Sequence, residues 1–249
     1  MHNKTLSAFL LFVLFLILLT VEPALAGPGG KIATAVFDSF WGKVLLIILV
    51  IVFLPLILLT LAKEKVAERK ALRDLRFMAK RSPYFDWLKV RTRVQDCFFR
   101  VHSAWQKEDM TESSNWMTDW YWKNQQMVYL DRWEREGLYN HCDVKEITSI
   151  QPLLFAHHNE GGEHEDSMLA VMIGANMQDF LAERDTGNVV EGSRKYKDVE
   201  KIWSFTLIDG AWKVSNIEDS SFSLTYAALE KTQPAIEETL LGQSRASIY

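Results

Sequence analysis

The hydrophobic pattern changes character several times along the chain. Leu6 to Val21 is an apolar run behind Lys4, and Val44 to Ala62 is a second run with no charge in nineteen positions. At about 1.5 Å rise per residue, a helix of that length spans roughly 28 Å, close to the hydrocarbon core of a bilayer. Trp41 and Lys43 sit where interfacial anchors occur. Pro55 leaves the carbonyl of Ile51 without its helical partner, which predicts a kink. The second run therefore predicts a transmembrane helix over residues 44–62.

Helical periodicity takes over beyond Ala62. Residues 63–81 contain no Gly or Pro and carry a partial apolar stripe of Val66, Leu72, Leu75, Met78 and Ala79. Ser82-Pro83 reads as an N-cap followed by proline at the first helical position. Val94, Cys97, Phe98, Val101 and Trp105 then recur on one helical face. Asp109 and Glu112 have capping-box spacing and predict a further helix to about Glu136, stopped at Gly137. That helix carries Trp116, Met117, Trp120, Tyr121, Trp122, Met127, Val128 and Trp133. Trp116 and Trp120 share a face, flanked by Met117, Tyr121 and Val128.

The period shortens at Asp143. Val144 to Ala156 reads as a strand interrupted by Pro152, hence an edge, a bulge or two short strands. His157 to Asp166 is a polar turn around Gly161-Gly162. Leu169, Val171, Ile173, Ala175 and Met177 alternate strictly, as in a half-buried strand. A turn at Asp185-Thr186-Gly187 leads to a strand with Val199, Trp203, Phe205 and Leu207 on one face. Asp209-Gly210 is a two-residue hairpin turn, and Trp212 to Ile217 is the returning strand. The tail after Ser220 reads as weakly helical and peripheral. Helices first and antiparallel strands afterwards predict an α+β domain, with helices on one face of a curved sheet.

Charge sharpens this picture. Of 28 basic and 32 acidic residues, residues 63–81 hold eight basic and three acidic, while residues 82–249 hold 17 and 27. The excess of cations directly after the apolar run predicts that residues 63–249 face the cytoplasm. Glu22-Pro23-Ala24-Leu25-Ala26 after the first run resembles a signal-peptide cleavage site before Gly27, although the run would also serve as an uncleaved short membrane helix. An export signal on a chain whose bulk stays inside points to a bacterial inner membrane. The segments are a signal peptide 1–26, a short periplasmic segment 27–43, the transmembrane helix 44–62, a basic juxtamembrane helix 63–81, a cytoplasmic domain 82–220 and a C-terminal tail 221–249. Two cysteines, Cys97 and Cys142, exclude a disulfide-rich scaffold.

The final hairpin carries a resemblance. Glu200 to Phe205 and Asp209 to Ile217 resemble the C-terminal signature of the Tim44-like domain, named after the mitochondrial inner-membrane anchor of the import motor. Val101-His102-Ser103-Ala104-Trp105 before Asp109 is similar to its first-helix signature. Asp179-Phe180 and Thr186 to Ser193 are similar to the segment before its last hairpin. The resemblance spans roughly residues 70–220. It implies a cone-shaped, nuclear-transport-factor-two-like fold that tethers or scaffolds at membranes rather than catalyses. Its relatives include bacterial inner-membrane proteins and a mitochondrial large-subunit ribosomal protein.

Candidate chemistry is sparse. Enzymes of the cone fold place an Asp, His or Tyr in the apolar mouth, and His102, Tyr121 and Asp179 are the candidates here. No nucleophile motif, phosphate loop or dinucleotide fingerprint is present. His157, His158, Glu160, Glu163, His164, Glu165 and Asp166 cluster without a zinc spacing, so no metal and no cofactor are expected. The aromatic residues Trp105, Trp116, Trp120, Tyr121, Trp203 and Phe205 are expected to wall a concave site for a protein partner. An isomerase-like or dehydratase-like, small-molecule or lipid-binding cone is the alternative. Lys63, Lys65, Arg69, Lys70, Arg73 and Arg76 form a basic neck suited to anionic lipid. The acidic body argues against nucleic acid.

Overall fold

The computed structural model describes residues 39–159 and 164–240. The signal peptide, most of the segment 27–43, the hairpin tip 160–163 and residues 241–249 lie outside the described residues. The chain divides into two compact units, Met1–Leu61 and Ala62–Tyr249.

Helix α1 runs from Phe40 to Ala79 with Pro55 inside it. It is long and apolar enough to cross a membrane. Its most apolar 18-residue window has a mean hydropathy of 3.4, and none of that window is buried. In the second unit the same helix becomes amphipathic. Ala67, Ala71, Leu75 and Met78 are buried along one stripe, together with Glu64 and Asp74. Val66, expected in the stripe, is 65% exposed. Leu75 and Met78 stand in the seam as expected, and before them Ala67 and Ala71 take the places expected of Val66 and Leu72.

The next helix does not begin at Pro83. Ser82 caps only a 3-10 turn over Pro83–Phe85. Helix α2, Trp87–Gln106, starts four residues later, where the Asp86 carboxylate accepts the Leu88 N–H at 3.0 Å. The Asp86 bond is the shorter one, since Ser82 Oγ accepts the Tyr84 N–H only at 3.4 Å. Asp109 likewise caps a 3-10 turn, Met110–Ser113, and not a long helix. The predicted helix to Glu136 is broken because residues 116–118 are drawn into strand-like pairing. Thr118 N–H donates to Val214 O at 2.9 Å, and Val214 N–H donates to Trp116 O at 2.8 Å. What remains is α3, Asp119–Gln125, a π turn over Gln126–Leu130, and α4, Asp131–Arg135. The extra residue in a π turn rotates the helix face. Tyr121, Gln125 and Leu130 therefore point inward, and Val128, expected on the inner flank, is 43% exposed. Gly137, at φ +70°, ends the series as expected.

Four strands follow in the order β1-β2-β3-β4, each antiparallel to its neighbour. They are β1 Leu138–Ala156, β2 Met168–Glu183, β3 Val189–Ile208 and β4 Ala211–Asp219. Pro152 lies on the edge strand β1 at a register shift, where its missing N–H costs no ladder bond. Asp209 and Gly210, at φ 51° and 70°, make the tight turn between β3 and β4. Leu169, Val171, Ile173, Ala175 and Met177 of β2 join Trp203, Phe205 and Leu207 of β3 in one core with Val94, Cys97, Phe98 and Val101 of α2.

The opposite face of the sheet is also covered in part. Leu153, Leu154, Ala170, Met172 and Ile202 form a second cluster under Tyr226. So β2 is buried on both faces over much of its length, not half-buried. The cover comes from the chain expected to be peripheral. Helix α5, Ser223–Thr232, packs against β1, and Ile236 beyond it joins the main core. Glu230 closes the edge of β1, its Oε2 accepting the Phe155 N–H at 2.6 Å.

Candidate functional site in the cone cavity

The helices and the inner face of the sheet enclose a cavity of about 540 Å³. One wall is α2, contributing Phe98, Val101, His102 and Trp105. A second is α3 to α4, with Tyr121, Gln125, Tyr129, Arg132, Trp133 and Glu136. The floor is the sheet, with Asn140 and Cys142 of β1, Met177 and Asp179 of β2, and Glu191, Val199, Lys201 and Trp203 of β3.

Aromatic rings dominate one end. Trp105, Tyr129 and Trp133 form a triangle with centroid separations of 5.5 to 5.8 Å. The His102 ring packs against both Phe98, at 4.1 Å, and Trp203, at 5.5 Å. His102 Nδ1 is 2.7 Å from Phe98 O. A carbonyl only accepts, so the neutral ring carries its proton on Nδ1 and leaves Nε2 as an acceptor. Burial lowers the His102 pKa to about 4. Burial also raises the Tyr121 hydroxyl and the Cys142 thiol. Asp179 stands at the rim, exposed to solvent on one side. Desolvation by the walls still raises its carboxyl, with Lys201 opposing and Glu191 reinforcing. No hydrogen bond joins His102 to Asp179 or Tyr121 among the described residues, so these groups do not form an acid–base dyad.

The structure divides the expected aromatic residues. Trp105, Tyr121 and Trp203 line the cavity. Trp116 does not, because its Nε1–H donates to Asp96 at 2.6 Å and Arg100 stacks on its ring at 4.9 Å. Those contacts hold it on the α2 surface. Trp120 is 70% exposed, lying against Tyr121 on the outside of α3. Phe205 is fully buried one layer deeper, in the core. Gln125, Tyr129, Trp133, Asn140 and Glu191 were not anticipated. Phase would have found two of them. Gln125 lies one helical turn after Tyr121, and Asn140 shares its strand face with Cys142.

The basic neck is also divided. Lys70 and Arg73 are taken up by Asp74 and Glu230, at 2.9 to 4.0 Å. Lys65 pairs with Glu68 at 2.6 Å. Lys63, Arg69 and Arg76 are exposed and have no ion pair among the described residues. In the histidine cluster, His157 Nε2 is 3.0 Å from His164 Nδ1, and His157 Nδ1 is 2.7 Å from Thr239 Oγ1. Among the described residues no three His, Cys, Asp or Glu side chains converge as metal ligands.

A curved antiparallel sheet, helices closing it into a cone and a cavity at the mouth define a nuclear-transport-factor-two-like binding domain, here following a candidate membrane helix. The family model for the Tim44-like domain matches residues 72–219, and the chain belongs to that family, which is related to membrane-associated import scaffolds. No curated protein matches it. Among solved structures, the intermembrane space region of chloroplast protein ARC6 is similar at 6% identity and a TM-score of 0.36, over 52% of this chain and 96% of that one.

Proposed function

We propose that this protein is a membrane-anchored, cytoplasm-facing scaffold or adaptor. It recruits a protein partner to a bacterial inner membrane, in protein transport or membrane-protein assembly. The observation that carries this is the aromatic-walled cavity of about 540 Å³, a size and lining suited to holding a ligand or chain segment. Family membership supports tethering rather than catalysis. The orientation rests on the eight basic residues after the apolar run. Their pairing in the folded domain does not weaken it, since the topology rule counts Lys and Arg and discounts Asp and Glu. Lys63, Arg69 and Arg76 are the neck residues left to meet anionic headgroups.

The test is photocross-linking in intact cells, with benzoylphenylalanine at position 105 inside the cavity or at position 120 outside it. Protein adducts at 105 that exceed those at 120 support the adaptor. A hydrophobic small molecule co-purified from the cavity, with no protein adduct at 105, would replace it with the ligand-binding alternative. Protease applied from the periplasmic side should leave the domain intact.

A further inference from the structure

The cavity holds more hydrogen-bonding capacity than the protein uses. Gln125 and Asn140 are 9% and 8% exposed, and neither carboxamide has a hydrogen-bond partner among the described residues. Folded proteins satisfy nearly all such groups, and those left over mark places where something else supplies the bond. Gln125 comes from α3 and Asn140 from β1, so two separate elements bring unmet groups to one space.

Their chemistry selects an occupant. A carboxamide offers one acceptor and a pair of donors, the complement of the C=O and N–H of a peptide unit. Two carboxamides suit an extended backbone, and an acyl chain would leave both unmet. Charge adds a second criterion. Of the cations lining the cavity, Arg132 pairs with Glu136 at 3.9 Å and Lys201 with Asp219 at 3.0 Å. Asp179 and Glu191 have no ion pair among the described residues. They lie on neighbouring strands, where Asp179 is opposite Ser193, two residues from Glu191. Two unpaired carboxylates at the rim disfavour an anion and favour a cation.

We propose that the cavity binds an extended, basic segment of the partner protein. Its backbone pairs with Gln125 and Asn140, and a Lys or Arg side chain meets Asp179 and Glu191. The Trp105 and Trp133 rings give the stem of that side chain an apolar wall and the cation a π face. This rests on the adaptor role proposed above and specifies the chemistry of its partner.

The experiment uses the full chain in phosphatidylcholine nanodiscs and three fluorescent, end-capped hexapeptides that differ only in a central Arg, Gln or Glu. Fluorescence anisotropy should show the Arg peptide binding about tenfold tighter than the Gln peptide, the effect of one hydrogen-bonded charge pair, with the Glu peptide weakest. Asp179→Asn combined with Glu191→Gln, both conservative changes at the rim, should erase the preference for the Arg peptide over the Gln peptide. Asn140→Leu should weaken all three peptides alike. Equal binding of the three peptides, or an Arg preference that survives the double variant, overturns this inference. If protein adducts still form at position 105 in that case, the adaptor role stands and only the partner chemistry fails. If no adduct forms there while the peptides discriminate as expected, the site chemistry stands and the cellular role fails.

Discussion

Glu230 is where pH should act on the fold. Its side chain is fully buried beside Lys70 of α1 and the edge of β1. It accepts the Phe155 N–H at 2.6 Å, and the Lys70 ammonium lies 3.2 Å from Oε1. Asp74, itself 3% exposed, shares that ammonium. Burial outweighs the Phe155 N–H and Lys70, and it raises the Glu230 pKa from 4.5 to about 7. The folded state therefore holds the proton more tightly than the unfolded chain. The stabilisation is complete below pH 4.5 and is lost as pH rises through about 7. At about 1.4 kcal/mol per pH unit, the whole effect is about 3 kcal/mol.

Glu230→Gln keeps an acceptor for Phe155 N–H and cannot ionise. Histidines act in the opposite sense, because burial holds His102 and His157 at about 4. Both fold neutral, so their contribution is present above pH 6.5 and falls away in acid. The difference between variant and wild type isolates Glu230 from this background. The assay is urea unfolding of the full chain in detergent micelles, followed by tryptophan fluorescence. Eight of the nine Trp lie in residues 82–249, so the signal reports the domain. The Gln variant should exceed wild type by under ~1 kcal/mol near pH 5 and by about 3 kcal/mol near pH 8. Glu230→Leu leaves the Phe155 N–H unpaired and should lose about 1–3 kcal/mol relative to Glu230→Gln at every pH. A Gln-minus-wild-type difference that stays flat from about pH 5 to about pH 8 would refute the reasoning.

Two further outcomes test other parts of the fold. Gly192 sits at φ +82°, and a Cβ there would lie 2.2 Å from Asp179 O and 2.7 Å from Phe180 Cα. Gly192→Ala should cost about 1–3 kcal/mol or more in urea unfolding, and an unchanged midpoint would contradict the tight β2–β3 approach. Burial pushes the Cys97 thiol up to about 12 and raises Cys142 as well, so iodoacetamide near neutral pH should label neither until urea is added. Mass spectrometry that finds native Cys142 alkylated would mean that the cavity floor is more open than described.

Elements with a single strong period were legible in the sequence. The α2 stripe, the position of strand β2 and the Asp209-Gly210 turn each answer to a local rule and stand where the rule puts them, although the second buried face of β2 left no trace in its alternation. The misses share a different cause. Residues 116–118 had helical composition, yet their backbone groups found partners on β4, nearly a hundred positions away. The tail had weak periodicity, and its place depends on Glu230 reaching the Phe155 N–H across 75 positions. Long-range hydrogen bonds leave no local pattern. Propensity yields to them because an unpaired buried backbone group costs more than a few tenths of a kcal/mol of helix preference.

The site was half legible for a related reason. Tryptophan content drew attention to the right stretch of chain, but it could not separate rings by role. Trp105 and Trp133 line the cavity, Trp116 is held outside by Asp96, and Trp212 is a core residue whose Nε1–H donates to Tyr84 O at 2.8 Å. An aromatic ring satisfies itself wherever apolar surface is available, so its presence says little about where a ligand would go. A carboxamide facing inward is more discriminating, because it must find a partner or bear the cost of burial. Gln125 and Asn140 fall in phase with inward-facing neighbours, Tyr121 and Cys142, and the structure gives their side chains no hydrogen-bond partner among the described residues. In this domain the polar residues that break an inward face locate the candidate site better than the aromatic residues that fill it.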